Sequence, residues 1–140
     1  MLNSIGVVSF VVVLTAVWQL VKSYRPTYQY VRGRAADAAC WERHYSAELL
    51  PFVQKVRETI QAAFLLRKDD IDRLRPDDRL SAIYRAAYPR PWLADTLEFE
   101  TLQAALRKEY HVPESLLSTL WAMTVGDVIQ LCIAHREDVA

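Results

Sequence analysis

The first 21 residues of the chain contain no charged side chain, and this feature limits the fold more than any other. Residues 5–21 form an apolar run that only Ser9, Thr15 and Gln19 interrupt. As a helix rising about 1.5 Å per residue, the run covers roughly 25 Å, close to the ~30 Å hydrocarbon core of a bilayer. A strand crossing lipid alone would leave its backbone groups unpaired. The run therefore predicts a transmembrane helix over residues 1–22.

The charges that follow the run predict its orientation. Four cations precede Asp37, the first acidic residue of the chain: Lys22, Arg25, Arg32 and Arg34. Because cytoplasmic flanks of membrane helices are enriched in Lys and Arg, we expect a single-pass protein whose C-terminal part is cytoplasmic. Pro26 and Gly33 favour a juxtamembrane linker over residues 23–40, followed by a domain over residues 41–140.

Three alternatives exist for the apolar segment. A cleaved signal peptide has a positive n-region and a small-residue cleavage site directly after its apolar core, and neither is present here. Ala38-Ala39-Cys40 is similar to a lipoprotein site, but it lies far beyond the run, and Asp37 occupies the place of an aliphatic residue. A buried core helix suits an uncharged chain end poorly. We therefore prefer the membrane span.

Composition excludes several functional classes for the rest of the chain. Four of the 17 basic side chains come before residue 35, whereas all 17 acidic side chains come after it. Residues 35–140 therefore carry 13 basic and 17 acidic side chains. This mild acidity argues against a nucleic-acid-binding domain, which carries a basic face. Cys40 and Cys132 are spaced neither as a disulfide framework nor as zinc ligands, so we expect free thiols that are buried or partly buried.

No catalytic or metal-binding pattern is found. The three histidines, His44, His111 and His135, are far apart and have no acid or cysteine at motif spacing. The sequence contains no GxSxG, no HExxH and no Gly-rich phosphate loop. The aspartates between residues 69 and 78 lack the alternating ligands of a calcium loop. We expect no metal and no enzymatic activity.

Apolar spacing predicts an all-α domain, a small bundle of three long helices and one short helix. The helices are expected at Trp41 to about Arg67, with Pro51 near the start of the helix proper; at Asp95-Thr96 to Tyr110; around 114–120; and from Thr124 onward. Residues 68–80 are expected to form a capped, solvated loop, with a short apolar stripe from Leu80 to Ala87. Residues 88–92 are expected to be extended, because two of them precede proline.

Three of these segments resemble the acyl carrier protein family. Asp95-Thr96-Leu97-Glu98 and the ending Glu109-Tyr110-His111-Val112 are similar to the family's DSL motif and second helix. Thr124-Val125-Gly126-Asp127-Val128 is similar to the opening of its last helix, and Pro76-Asp77-Asp78-Arg79-Leu80 to its loop. The resemblance covers roughly residues 50–135, in order, and it implies an acyl-carrier-like bundle.

The chain departs from the family at the attachment site. The family's serine, which carries 4′-phosphopantetheine, is replaced here by Thr96, whose extra methyl group crowds the hydroxyl. We therefore expect no prosthetic group and interpret Thr96 as a helix cap. The resemblance implies a docking face on the second helix, with Glu98, Glu100 and Glu109 as candidate contacts for a basic protein partner, such as an enzyme of acyl or lipid metabolism.

Three functions follow from these observations. The first is a membrane-anchored, carrier-like docking module without a prosthetic group. The second is a membrane-tethered acyl carrier that is modified on Thr96. The third is a small structural subunit of a membrane complex, in which case the resemblance is coincidental.

Overall fold

The computed structural model describes residues 12–17, 29–87 and 96–136. Residues 12–17 are helical. The other described α-helices are α1 (Gln29–Arg32), α2 (Ala39–His44), α3 (Leu50–Ala63), α4 (Leu80–Ala87), α5 (Leu97–Tyr110), α6 (Glu114–Leu117) and α7 (Val125–Arg136). Two 3₁₀ turns cover Lys68–Arg73 and Leu120–Ala122. The described residues contain no strand beyond one isolated bridge between Arg79 and Thr124. The prediction of an all-α domain is confirmed.

The prediction of a membrane-spanning helix over residues 1–22 is wrong for the described chain. No helix among the described residues combines the length and the apolar character that crossing a bilayer requires. The single-pass localisation and the cytoplasmic orientation were inferred from the predicted membrane helix, and both are corrected with it. Residues 1–11 and 18–22 lie outside the described part.

The bundle is built on two antiparallel helices of equal length, α3 and α5. Phe64, directly after α3, lies 5.3 Å from Phe99 in the first turn of α5, measured between ring centroids. At the other end, the hydroxyls of Thr59 and Tyr110 share a hydrogen bond of 3.1 Å, and the Phe52 ring packs edge-on against Tyr110. The third long helix, α7, packs against both. The core therefore has three long helices, as their apolar spacing predicts.

Proline separates α2 from α3, as the sequence predicts. Pro51 lies in the first turn of α3, where its missing N–H leaves no helical bond unmade. The part of the predicted helix that precedes Pro51 forms the separate helix α2, which carries the buried residues Cys40 and Trp41. The start of α7 also follows its prediction. Thr124 Oγ1 accepts from the Asp127 N–H at 3.1 Å, and Asp127 Oδ2 accepts from the Thr124 N–H at 2.9 Å.

The segment predicted to be a linker belongs to the folded domain from residue 29 onward. Val31 is fully buried, and α1 packs against α4 and against the Lys68–Arg73 turn. Arg32 Nε lies 3.7 Å from Asp70 Oδ2, and Arg34 Nη2 lies 2.6 Å from Asp78 Oδ1. The sequence analysis assigned these two cations to a membrane flank, whereas the structure pairs them with carboxylates of the same domain.

The acidic loop is likewise more ordered than expected. Asp70 and Asp78 are 3% and 2% exposed, so neither belongs to a solvated loop. Asp78 Oδ2 also accepts the backbone N–H of Arg75 at 2.8 Å, and the Trp41 indole N–H donates to the Leu74 carbonyl. Buried carboxylates need such partners, because desolvation of an unpaired charge is costly. The loop is therefore fixed to the domain on both sides.

Candidate docking site at the start of helix α5

Thr96 stands at the N-terminus of α5 but does not cap it through its side chain. Its backbone has φ 61° and ψ 5°, in the left-handed region, and its side chain makes no capping hydrogen bond. Instead, Oγ1 donates to Glu100 Oε1 at 3.3 Å. A side-chain cap requires an extended backbone at this position, which points the hydroxyl at the free N–H groups of the first turn. The capping role predicted for Thr96 is therefore wrong. Asp95, the other capping candidate, lies outside the described residues.

The left-handed conformation of Thr96 is unusual for its position and its residue type. Leu65 and His111 also have positive φ, but both follow the C-terminus of a helix, where this conformation is common. Thr96 precedes a helix and is β-branched, which makes the conformation costly by about 1–2 kcal/mol. Tyr84 helps to hold it, because its hydroxyl accepts the Thr96 backbone N–H at 3.0 Å. Strained residues that the surroundings hold in place occur frequently at functional sites.

A groove of about 340 Å³ opens beside Thr96, between α5, α6 and the Leu120–Ala122 turn. We call it the Thr96 groove. Its lining residues are Thr96, Phe99, Glu100, Gln103, Leu117, Ser118, Leu120 and Trp121. Glu100 is the one charged side chain among them. The groove therefore combines four apolar side chains with one carboxylate, one amide and the hydroxyls of Thr96 and Ser118.

An aromatic cluster forms the wall of the Thr96 groove. The ring centroid of Phe99 lies 5.0 Å from that of Trp121 and 5.3 Å from that of Tyr84. Tyr84 and Trp121 meet in an edge-to-face contact at 5.5 Å, and the Arg85 guanidinium lies over the Trp121 ring at 5.4 Å. Aromatic pairs of this geometry stabilise by about 0.5–1.5 kcal/mol each beyond their burial. The wall is therefore well ordered, although Trp121 itself is 40% exposed.

Four large apolar side chains of residues 29–87 and 96–136 are exposed, and one of them, Trp121, lines the Thr96 groove. Outside the stretch 12–17, the described large apolar residues with high exposure are Leu65, Leu97, Leu116 and Trp121. Leu97 begins α5 and is 58% exposed, and Leu116 precedes the groove residue Leu117. Leu65 follows Phe64, which packs on Phe99, and is 70% exposed. Trp121 is therefore the exposed apolar side chain that belongs to the groove, and an exposed apolar group in a groove is typical of an interaction surface.

The three glutamates predicted to form a docking face are not brought together. Glu98 is 4% exposed and offers almost no surface to a partner. Glu100 is exposed and lines the Thr96 groove. Glu109 is also exposed, but it borders a different groove between α3 and α5, about 13 Å further along the helix. Only Glu100 therefore contributes to the site described here.

The other reactive side chains of the described chain are engaged in structure. Cys40 and Cys132 are free and buried, as predicted. Burial raises the pKa of the Cys132 thiol to about 12 and also raises that of Cys40, so neither forms a thiolate nucleophile near neutral pH. The Nδ1 atoms of His44 and His135 bond to carbonyl oxygens one turn earlier. No group of three or more His, Cys, Asp or Glu residues in the described ranges could hold a metal ion.

Comparison with known proteins finds no matching family model, no matching curated protein and no matching solved structure. The resemblance to the acyl carrier protein family therefore depends on the sequence motifs alone and stays a prediction. Sequence reasoning also missed Tyr84, Leu116 and Trp121 as parts of the site. A tryptophan directly after a predicted helix, with no place in an apolar stripe, was the available signal for Trp121.

Proposed function

We propose that this domain is a protein-docking module that binds its partner at the Thr96 groove. The observation that carries the proposal is an open groove lined by Phe99 and the 40%-exposed Trp121, with the exposed residues Leu97 and Leu116 next to its lining residues in the chain. Leu97, Leu116 and Trp121 would each lose exposed surface on binding, and burial of such groups is the main source of binding free energy. The wall formed by Phe99 and Trp121 is held from behind by the buried Tyr84 and needs little rearrangement, which reduces the entropic cost of association.

The chemistry of the groove defines the partner. Its volume of about 340 Å³ is at the low end of ligand pockets and suits a few apolar side chains better than a large cofactor. Glu100, its single charged residue, favours a cation next to those side chains. The partner is therefore a protein segment with exposed apolar residues and a neighbouring Lys or Arg. This agrees with the basic partner that the family resemblance implies.

The residues around Thr96 do not suit the prosthetic group of acyl carriers. Glu100 accepts the hydrogen bond of the Thr96 hydroxyl, so a phosphodiester on that oxygen would lie next to a carboxylate. Like charges this close repel each other, and the β-methyl group adds crowding. In our proposal the domain acts without 4′-phosphopantetheine and without catalysis. The alternative is a genuine carrier modified on Thr96, which the exposed position of its hydroxyl favours.

Site-specific photo-crosslinking in the native cell tests the docking function. A benzophenone amino acid is placed at Leu116, the exposed chain neighbour of the groove residue Leu117, and in a matched control at Glu48, an exposed residue before α3. We expect a discrete adduct from position 116 and none from position 48. The Glu100→Lys change should abolish the adduct, and the Glu48→Lys change should leave it intact. The crosslinked segment, made as a peptide, should bind the wild-type domain at least about tenfold more tightly than the Glu100→Lys variant.

Two results would overturn the proposal. Equal adducts from positions 116 and 48 would mean that the groove is not the contact surface. An adduct that persists in Glu100→Lys would remove the charge-based definition of the partner. The carrier alternative has its own measurement, the intact mass after co-expression with a promiscuous phosphopantetheinyl transferase. We expect an unchanged mass, and a gain of one phosphopantetheine that is lost in Thr96→Ala would establish the alternative.

A further inference from the structure

The N-terminal strap, which we define as residues 29–38, is held to the domain by one buried side chain, two ion pairs and two hydrogen bonds. Val31 is fully buried, and two ion pairs join Arg32 to Asp70 and Arg34 to Asp78. Two further hydrogen bonds join the strap to the Lys68–Arg73 turn. Arg73 Nη1 donates to the Arg32 carbonyl at 3.0 Å, and the Asp37 N–H donates to the Asp72 carbonyl at 2.8 Å.

The strap contacts the helix that supports the Thr96 groove. Helix α1, within the strap, packs against α4, and α4 in turn packs against the Leu120–Ala122 turn that carries Trp121. Tyr84 is on α4 and is 4% exposed. Its ring contacts Phe99 and Trp121, and its hydroxyl accepts the Thr96 N–H. A displacement of α4 would therefore disturb the wall of the groove and the strained start of α5 together.

The two carboxylates that hold the strap also have partners outside it. Its strongest contacts are ion pairs with Asp70 and Asp78, two buried carboxylates that keep other partners when the strap leaves. Arg73 Nη1 lies 3.6 Å from Asp70 Oδ1, and the Arg75 N–H donates to Asp78. Loss of the strap would therefore not leave either carboxylate without a hydrogen-bonding or ionic partner. Rearrangements of this kind occur where an element has two supported arrangements.

We propose that the strap controls the Thr96 groove, holding Tyr84 and the start of α5 in the binding arrangement when it is docked and loosening them when it is released. The biological meaning of this inference rests on the proposed docking function. The coupling between the strap and the groove, which is the structural part of the inference, does not depend on that function. In this arrangement, a change that displaces the strap alters the affinity of the Thr96 groove, because α4 contacts both.

Amide hydrogen exchange of the full chain measures the coupling directly, because the Thr96 N–H is bonded to Tyr84. Val31→Ala deletes two methyl groups from the strap. Val53→Ala is the matched control, since Val53 is 1% exposed and follows Phe52, which packs on Tyr110 at the opposite end of the bundle. Tyr84→Phe removes the acceptor of the Thr96 N–H and gives the exchange rate that corresponds to complete loss of this bond.

We expect Val31→Ala to raise the exchange rate of the Thr96 amide about tenfold, toward its value in Tyr84→Phe. The amide of Ile60, in the core of α3, should follow global stability in every variant. Val53→Ala should lower global stability to a similar degree and leave the local exchange of Thr96 unchanged. If Val31→Ala does not fold, Arg32→Gln gives the same comparison, because Arg32 is partly exposed and Asp70 retains Arg73.

Equal acceleration of Thr96 in Val31→Ala and Val53→Ala would overturn the inference, since it would mean a general loss of stability. No acceleration in Val31→Ala or Arg32→Gln would overturn it as well. The two proposals fail in different ways. Without a crosslinked partner the docking function is lost, while the exchange of Thr96 still responds to the strap. With docking intact, Arg32→Gln should reduce the yield of the adduct from position 116, and an unchanged yield would contradict control of the groove.

Discussion

The guanidinium of Arg34 lies 2.6 Å from the carboxylate of Asp78, and their side chains are 17% and 3% exposed. This pair joins the start of the domain to the loop before α4. Removal of one partner from a buried ion pair costs about 3–5 kcal/mol, because the other charge stays desolvated. We expect Arg34→Met to lower the free energy of unfolding by about 3 kcal/mol, measured by urea denaturation.

The control for this prediction is an exposed pair of the same chemistry. Arg43 lies 2.9 Å from Asp37, with side-chain exposures of 61% and 38%. Exposed pairs contribute about 0–1 kcal/mol, so Arg43→Met should change stability by less than that. Similar losses in the two variants would mean that the Arg34–Asp78 pair is no more important than a surface contact.

The same pair illustrates what the sequence could and could not predict. Helices α3, α5 and α7 were predictable, because apolar residues recur at three- and four-residue steps and Thr124 and Pro51 mark helix starts. The partners of Arg34 and Asp78 were not predictable, since 44 positions of chain separate them and nothing local specifies the contact. Read locally, a cation after an apolar run indicates a membrane flank, and that interpretation was wrong for the described residues.

The candidate site was predicted only in part. Thr96, Leu97 and Glu100 were found through the family resemblance and do lie together. Glu98 was assigned to the docking face from the same resemblance, whereas its position on α5 directs it inward. Tyr84 and Trp121 come from elements that meet α5 only after folding. Contacts between distant elements therefore determine the site, and periodicity within one helix gives no information about them.

Leu65 provides a prediction about backbone strain. It has φ 55° directly after the end of α3, where the N–H of Leu66 bonds to the Gln61 carbonyl, and its side chain is 70% exposed. Glycine favours this left-handed position, and little burial is lost when an exposed leucine is replaced. We expect Leu65→Gly to raise the free energy of unfolding by about 0.5–1 kcal/mol. Leu65→Ala keeps the strain and should give no gain, and equal stability of the two variants would contradict this account.

For Gly126→Ala we predict a stability change opposite in sign to the one that helix propensity alone would give. It lies in the first turn of α7, and its N–H donates to the Pro76 carbonyl at 2.8 Å. A Cβ at this position would lie 2.9 Å from that oxygen and 3.3 Å from the Pro76 Cβ. Alanine is preferred over glycine in helices by about 1 kcal/mol, but overpacking costs about 1–3 kcal/mol. We therefore expect Gly126→Ala to lower the thermal midpoint, whereas Lys108→Ala, at an exposed position of α5, should not.

The buried thiol of Cys132 predicts a loss of stability in alkali. Burial raises its pKa to about 12 in the folded chain, above the ordinary value of 9.0. Between these two pH values the unfolded chain loses this proton and the folded chain keeps it, so stability falls as pH rises. From pH 9 to pH 10 the wild type should lose about 1 kcal/mol more than Cys132→Ala, which cannot titrate here. Parallel pH profiles for the two proteins would show that the thiol is not protected by burial.

Leu97 allows docking to be separated from stability. It is the first residue of α5 and is 58% exposed, whereas the neighbouring Phe99 is 6% exposed and holds the aromatic cluster together. Substitutions at exposed positions change stability by about 0.5 kcal/mol or less, so Leu97→Ser should unfold at nearly the same urea concentration as the wild type. A leucine this exposed contributes little to the fold, and its contribution to a partner contact is correspondingly easier to detect. We expect Leu97→Ser to remove most of the adduct formed from position 116. Retention of the adduct at unchanged stability would mean that the partner contacts the groove without reaching the start of α5.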